Sequence, residues 1–420
     1  MSDRIATHLR RLSAPVTAVL LGLMAGLALV TVAGGTAHDA FRVMWNTSVA
    51  CTAATCGFFQ TLGTATPLIL TTMAAVICFR SGLFSIGQEG QYVVGALAAT
   101  YVGYSAELPA IVHVTASLVA GVVAGGLYGL VPGLLRAYLN VNELIATIIF
   151  NNIALMLAAY LVNYPMRADR SSQAYTPAVH DSAHLPAFVP SANLGVGLVI
   201  AVATVVATRW FLFRTTAGFG QRMAGQAPIF ARYAGIPART AAVRAMTISG
   251  GVAGLAGGVQ VLGVTHRFID GFGDGTGLDG ITAAILANFA PVGAALVAVL
   301  ISALSVGSLG LQIDLGIPAE LGGTVTALLI LVVASQGVLE RMRVAVARTL
   351  RRPGRGSGPE TERGPEKDPP VRGGVGPEAS PGGPPGHGAV PVGAAAGGSH
   401  PTRTTVTAPP AAHPKDAPDA

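Results

Sequence analysis

An all-α, polytopic membrane protein with about ten transmembrane helices is the fold class this sequence predicts. Three observations predict it. Hydrophobic residues make up 51% of the chain, charged residues only 11%, and mean hydropathy is +0.57; a soluble domain carries about 25% charged residues. Apolar runs of about 20 residues, the length needed to cross a hydrocarbon core of about 30 Å, recur along the chain. The arginines, finally, fall between those runs and mostly on one side.

The first element is the run from Val16 to Ala33, preceded by Arg4, Arg10 and Arg11. It exceeds the apolar core of about 7–15 residues in a secretory signal, so it is expected to stay as a helix within a segment near 15–35. Further segments are expected near 57–79, 90–104, 108–132, 143–163, 193–213, 241–265, 279–290, 291–311 and 321–338. The eighth is short and runs into Asn288 and Pro291, as a tilted or partly inserted helix would. If these segments alternate from a cytoplasmic N-terminus, the outer face collects only Arg42, Arg167, Arg170 and Arg267. All the other arginines up to Arg352 lie inside, as the positive-inside rule requires. Both termini are then cytoplasmic. Residues 1–352 form the membrane domain. In residues 353–420 Gly, Pro, Ala and Ser dominate. Such a stretch cannot bury enough surface to offset its chain entropy, and a disordered cytoplasmic tail is expected.

Several functions are excluded. The net charge of +6 follows the loop arginines and is no sign of nucleic-acid binding. Gly-x-x-x-x-Gly-Lys-Ser/Thr is absent, and the first lysine is Lys367. A phosphate-cradling loop needs that lysine, so the chain is expected neither to hydrolyse ATP nor to act as an enzyme, and to bind no cofactor. Gly271 to Gly277 is glycine-rich but reads as a turn before a broken helix. His180 and His184 have helical spacing in a proline-flanked outer loop, where solvation is expected rather than a metal. Cys51 and Cys56 lack metal-ligand spacing. In an exported loop they are free to pair, and two free thiols fit the sequence equally.

Two short motifs occur twice in the same order. Gly87-Gln-Glu89-Gly90 corresponds to Gly277-Leu-Asp279-Gly280, and Glu143-Leu-Ile-Ala-Thr147 to Glu320-Leu-Gly-Gly-Thr324. Each opens an apolar segment. In the topology above the first copies enter from inside and the second from outside, so the halves form an inverted repeat. Inverted repeats with interrupted helices and polar groups at mid-membrane belong to transporters. A carboxylate such as Glu89 costs about 2.5–3.5 kcal/mol at the bilayer centre on insertion scales, and a polar pathway would offset that cost. Glu143, Thr147 and Asn151 share one helix face with Asn152 beside it, either lining that pathway or bonding neighbouring helices.

The longest inner loop before the tail runs from Arg214 to Pro237. Pro228 can start a short helix there and Gly235 can end it. A basic surface of this kind suits either a cytoplasmic partner or anionic lipid.

The run Phe79-Arg-Ser-Gly-Leu-Phe-Ser-Ile-Gly-Gln-Glu-Gly-Gln91 resembles a signature of ABC importer permeases. The branch is the one grouping simple-sugar, branched-chain amino-acid and nucleoside systems, with nucleoside types most similar. Asn142-Glu-Leu-Ile-Ala-Thr147, Tyr233-Ala-Gly-Ile236, Ile248 to Gly257, Gly277-Leu-Asp-Gly-Ile281 and Ile317-Pro-Ala-Glu-Leu321 also match, in order. The chain departs from the family at Ser85 and Gln226, where Asn is usual, and at Ala287, where Gly is usual. The resemblance implies a permease like those of the cobalamin-importer type. It implies a substrate pathway along or near Gln88, Glu89, Gln91, Thr147, Asn151, Asn152, Asp279 and Asn288. It implies a coupling helix around Arg222, Gly225, Arg232, Tyr233, Gly235 and Ile236 that docks on an ABC ATPase subunit, which consumes the ATP. A second permease subunit, usually a different chain, and an extracytoplasmic substrate-binding lipoprotein complete such an importer in the plasma membrane. The rival expectations are the same machine carrying sugars or amino acids, and a proton-coupled secondary transporter titrating Glu89 or Asp279.

Overall fold

The computed structural model describes residues 36–51, 56–168, 173–273 and 275–316, together with the single positions 324 and 327. The expected segment 15–35, the expected segment 321–338 and the motif at Glu320 apart from those single positions, and the tail from 353 lie outside the described residues.

Eleven α-helices follow one another among the described residues. They are α1 (Ala37–Ser48), α2 (Gly57–Arg80), α3 (Gln88–Ser105), α4 (Ala110–Leu139), α5 (Glu143–Asn163) and α6 (Val196–Arg214). Then come α7 (Thr216–Gln226), α8 (Pro228–Tyr233), α9 (Ala238–Gln260), α10 (Thr276–Leu286) and α11 (Pro291–Leu315). A π-helical turn, Val261–Thr265, extends α9. A small antiparallel pair, β1 (Ala187–Val189) and β2 (Leu194–Gly195), closes the long loop between α5 and α6. Six of these helices, α2, α4, α5, α6, α9 with its π turn, and α11, are long and apolar enough to span a bilayer. The chain is a multi-pass helical membrane protein. α3 falls short of that hydropathy because it opens on Gln88, Glu89 and Gln91.

One helix predicted from sequence, α4, runs well past its expected end, and two others were not expected. α4 continues through Pro132 to Leu139 and closes on Asn140 in the left-handed conformation (φ 52°), which Asn tolerates. α2, which matches its expected span, also carries a proline inside, Pro67. Flanking helices re-satisfy the backbone groups that proline frees inside a membrane protein. α1 and α7 are short and amphipathic or polar, with no run of apolar residues to announce them.

α2 is the central helix, with 83% of its most apolar window buried. α9 packs along both α3 and α4. This three-helix contact depends on glycine. A methyl group at Gly254 would overlap the Gly121 carbonyl, and one at Gly95 would overlap Gly254 itself. Small residues let helix backbones approach in a medium where lipid is as apolar as leucine. Cys51 and Cys56 are joined as a disulfide at the start of α2.

Candidate functional site

Between α2 and α3 the chain does not simply turn back. Ser81 to Gly87 form an irregular elbow, and α3 starts at Gln88 beside Thr147 and Asn151, one to two turns inside α5. Asn151 holds this entrance from both sides. Its Oδ1 accepts from the Gly90 N–H at 2.9 Å and its Nδ2 donates to the Ile86 carbonyl at 2.7 Å. Thr147 Oγ1 accepts from the Ile86 N–H at 3.2 Å. Backbone groups that lack a helical partner are thereby satisfied away from water, as lipid demands.

The second interrupted helix, α10, starts from the loop Ile269–Gly275. Gly271, Gly273 and Gly275 all have positive φ there (82°, 113° and 84°), a backbone open to glycine at no steric cost. α10 runs beside the second half of α2. The Thr71 hydroxyl donates to the Thr276 carbonyl at 3.2 Å, and Gly280 packs directly on Thr71 and Thr72. At its far end, Arg80 Nε and Nη2 donate to the Phe289 and Asn288 carbonyls at 2.8 and 3.2 Å. These bonds hold Asn288 and Phe289 in the left-handed region (φ 49° and 59°), and Phe289 also packs on Phe79. With 11 residues α10 is about 16 Å long, roughly half the hydrocarbon thickness. It therefore begins about midway along α2.

The two interrupted helices meet at Glu89. Its Oε2 accepts from the Gly277 N–H at 2.6 Å and from the Leu278 N–H at 3.3 Å. The carboxylate of the first Gly-x-acid-Gly motif thus caps the helix opened by the second. The first four N–H groups of a helix lack internal partners and carry its positive end. A negative side chain inside a membrane is offset by that positive end. The fit leaves no slack, because a Cβ at Gly277 would lie 2.5 Å from the Glu89 nitrogen and one at Gly273 would lie 2.6 Å from Glu89 Oε1. Tyr92, one turn along α3, is buried and stacks on Phe272 at 5.3 Å, closing the joint.

The other residues singled out from sequence lie at different places. Gln88 is fully buried next to Glu89, and neither atom of its amide has a hydrogen-bond partner among the described residues. Gln91 is buried and its Oε1 is likewise without one. Asn152 is exposed on α5 and donates to the Ile148 carbonyl of its own helix at 3.0 Å. Asn288 is exposed at the end of α10. Asp279, half-buried one turn into α10, borders a cavity of about 340 Å³ between α2, α10, α11 and the loop carrying Ser191 to Asn193. Glu143 pairs with Arg136 across the α4–α5 turn at 3.1 Å.

The loop from Arg214 to Pro237 is built as two helices. α7 is capped by the Thr215 hydroxyl, which accepts from Gly218 N–H at 3.0 Å. α8 is started by Pro228 and stopped at Gly235 (φ 72°). α8 projects Ile229, Phe230 and Tyr233, the last 89% exposed, with Arg232 also at the surface. α7 leans on the elbow before α3. The Ser81 hydroxyl donates to Gln221 Oε1 at 3.5 Å, and the backbones of Gly225 and Gly82 touch so closely that neither tolerates a Cβ. Arg222 lies over the Phe213 ring at 4.8 Å. The loop from Arg214 to Pro237 is therefore joined through Gly225 and Gly82 to the segment that carries Glu89. Nothing in the sequence announces this joint except that both positions are glycine.

His184 is not solvated as expected. It stacks on His266 at 4.0 Å, where the long loop between α5 and α6 lies across the end of α9 and its π turn. His266 adopts the left-handed conformation (φ 52°). Burial, followed by the neighbouring His184 and Arg267, holds its pKa below the ordinary imidazole value, against a smaller opposing effect of Asp181.

Residues 57–334 match the family model described as "Branched-chain amino acid transport system / permease component". The chain is 34% identical over 338 residues to the guanosine ABC transporter permease protein NupP of Bacillus subtilis (strain 168), covering 78% of this chain and 94% of that one. It is 32% identical to the glucose ABC transporter permease protein TsgB13 of Haloferax volcanii, covering 79% and 90%. It is 28% identical to the nucleoside ABC transporter permease protein NupB of Lactococcus lactis subsp. cremoris, covering 79% and 93%. No solved structure matches the chain.

Proposed function

The chain belongs to the family of permease components of branched-chain amino acid transport systems, and from that membership we propose that it is the membrane subunit through which an ATP-driven ABC importer moves nucleosides. The observation that carries the proposal is the Glu89 cap on α10. Two interrupted helices, each opened by one copy of the Gly-x-acid-Gly motif, meet end to end through a single carboxylate. Such a joint has two sides that can separate or slide, as alternating access around a central site requires. Glu89, Gln88 and Gln91, with Thr147 and Asn151 bracing their helix, form the movable wall of the pathway in this proposal, and Asp279, Asn288 and Asn152 lie along or near it.

Drive enters from the cytoplasmic side. α7 and α8, with Arg222, Gly225, Arg232, Tyr233, Gly235 and Ile236, dock on an ABC ATPase subunit that binds and hydrolyses the ATP; this chain needs no cofactor of its own. Closure of the ATPase pushes Gly225 against Gly82, and the elbow transmits the push to Glu89. The backbone contact at Gly225 supports this route, since it leaves no side chain to absorb the displacement. A second, different permease chain completes the pathway, and an extracytoplasmic lipoprotein delivers the solute. The ten-segment inverted repeat, the likeness to cobalamin-importer permeases, the plasma-membrane location and the cytoplasmic termini belong to the same proposal.

Uptake of radiolabelled guanosine, adenosine, ribose and leucine in cells lacking this gene, and again after its restoration, tests the proposal. Selective loss of nucleoside uptake, restored with the gene, is expected. Loss confined to a sugar would instead favour the function named for the Haloferax relative.

A further inference from the structure

The cavity beside Asp279 lies within this one chain, not between two permease chains. Its volume, about 340 Å³, is within the range of small-molecule sites, roughly 300–1,000 Å³. Pro67, Leu68 and Val264 supply apolar lining. The rest of the lining is mostly polar but not basic, and includes the amides of Gln60, Asn193 and Gln260, the Ser302 and Ser305 hydroxyls, and the Asp279 carboxylate. Ser302 is 1% exposed, and its hydroxyl has no hydrogen-bond partner among the described residues. A buried hydroxyl without a partner is costly, and a ligand in the cavity would supply one.

The charge pattern selects the ligand class. No Lys, Arg or His lines the cavity. The Gly277 and Leu278 N–H groups at the α10 N-terminus, the other local source of positive potential, are already taken by Glu89. A solute carboxylate or phosphate would enter without a counter-charge, which burial penalises heavily. A neutral solute rich in hydroxyls meets amides, hydroxyls and one carboxylate, and a carboxylate accepts from a vicinal pair of ribose hydroxyls. The apolar side chains among the lining suit the flat face of a base.

We propose that this cavity is a nucleoside-binding vestibule within a single permease subunit, in which Asp279 accepts from the ribose hydroxyls and Ser302 bonds the same solute. The inference rests on the nucleoside function proposed above and adds a site to it.

Equilibrium binding of radiolabelled guanosine to the purified, complete importer in lipid nanodiscs tests it, alongside ATP-driven guanosine uptake by the same complexes in liposomes. Asp279→Asn is expected to weaken guanosine binding by about tenfold or more, the loss of a charged acceptor, and Ser302→Ala by about fivefold. Ser305→Leu, which fills the cavity, is expected to abolish binding and uptake while ATPase activity and thermal midpoint show the complex assembled. In the unaltered complex 2′-deoxyguanosine is expected to bind more weakly than guanosine, and Asp279→Asn is expected to remove that difference. Leucine is expected not to compete. If the unaltered importer carries guanosine and Ser305→Leu and Asp279→Asn bind and carry it equally well, the vestibule is refuted and the nucleoside function stands. If the unaltered importer neither binds nor carries guanosine, both fall. Binding of glucose in place of guanosine overturns the nucleoside assignment of the cavity.

Discussion

Replacing Glu89 separates a structural cap from a titrating group. Glu89 is 4% exposed and bonds two backbone N–H groups of α10, one at 2.6 Å and a weaker one at 3.3 Å. A hydrogen bond to a charged group contributes about 1.5–3 kcal/mol, and a charge at a helix N-terminus about 0.3–1 kcal/mol or more when partly buried. Glu89→Ala removes both and leaves the Gly277 N–H unsatisfied, at a cost of about 3 kcal/mol. Glu89→Gln keeps the length and one acceptor oxygen, so only the charge is lost, about 1–2 kcal/mol. The assay is thermal unfolding of the purified importer in lipid, with guanosine uptake measured on the same variants. The expected order of stability is Glu, then Gln, then Ala, with uptake reduced in Gln and lost in Ala. If Glu89→Gln is as stable as the natural protein and abolishes a pH dependence of uptake, the carboxyl carries a proton instead of capping α10. The reasoning is then refuted in favour of a proton-coupled mechanism.

Three other outcomes are expected. Gly277→Ala forces a Cβ onto the Glu89 backbone, which cannot rotate away, and should destabilise by about 1–3 kcal/mol as overpacking does, seen as a lowered unfolding midpoint. Gly225→Ala forces a Cβ onto the Ser81 and Gly82 backbone in the same way and should lower the unfolding midpoint by a similar amount, with uptake reduced more than ATP hydrolysis in the importer that stays assembled; equal loss of both would argue against transmission through Gly82. Acidification should loosen the long loop between α5 and α6, because His266 has a folded-state pKa below its unfolded value. A depressed base contributes stability that is present above the unfolded imidazole pKa of about 6.5 and is lost as pH falls below it. Proteolysis of the loop is expected to rise below about pH 6.5, and His266→Asn, which tolerates the left-handed backbone, should flatten the response.

Much of the membrane domain was legible because hydropathy reports burial in lipid directly. The segment expected near 57–79 is Gly57–Arg80, and that near 143–163 is Glu143–Asn163. Where proline punctuated an apolar run, as at Pro132, the sequence suggested an end and the fold continued, since neighbouring helices replace the lost bond. α8 was readable from Pro228 and Gly235, whereas α7 lacked such punctuation. The candidate site was legible as residue types and not as contacts. The stripe of Thr147 and Asn151 was visible from spacing, but that it braces Ile86 and Gly90 was not. Glu89 stood out as an expensive carboxylate, and the doubled Gly-x-acid-Gly motif hinted at a relation. That one copy caps the other depends on two chain positions 188 residues apart meeting at one depth, which no local pattern encodes. The His184–His266 stack escaped for the same reason.

The most direct test of an ATP-driven permease is guanosine uptake by cells expressing this chain, measured before and after the ABC ATPase subunit proposed to drive it is inactivated at its phosphate-binding lysine. Uptake that disappears with ATP hydrolysis, while this chain remains in the membrane at an unchanged level, is the predicted result. Uptake that continues undiminished would contradict it.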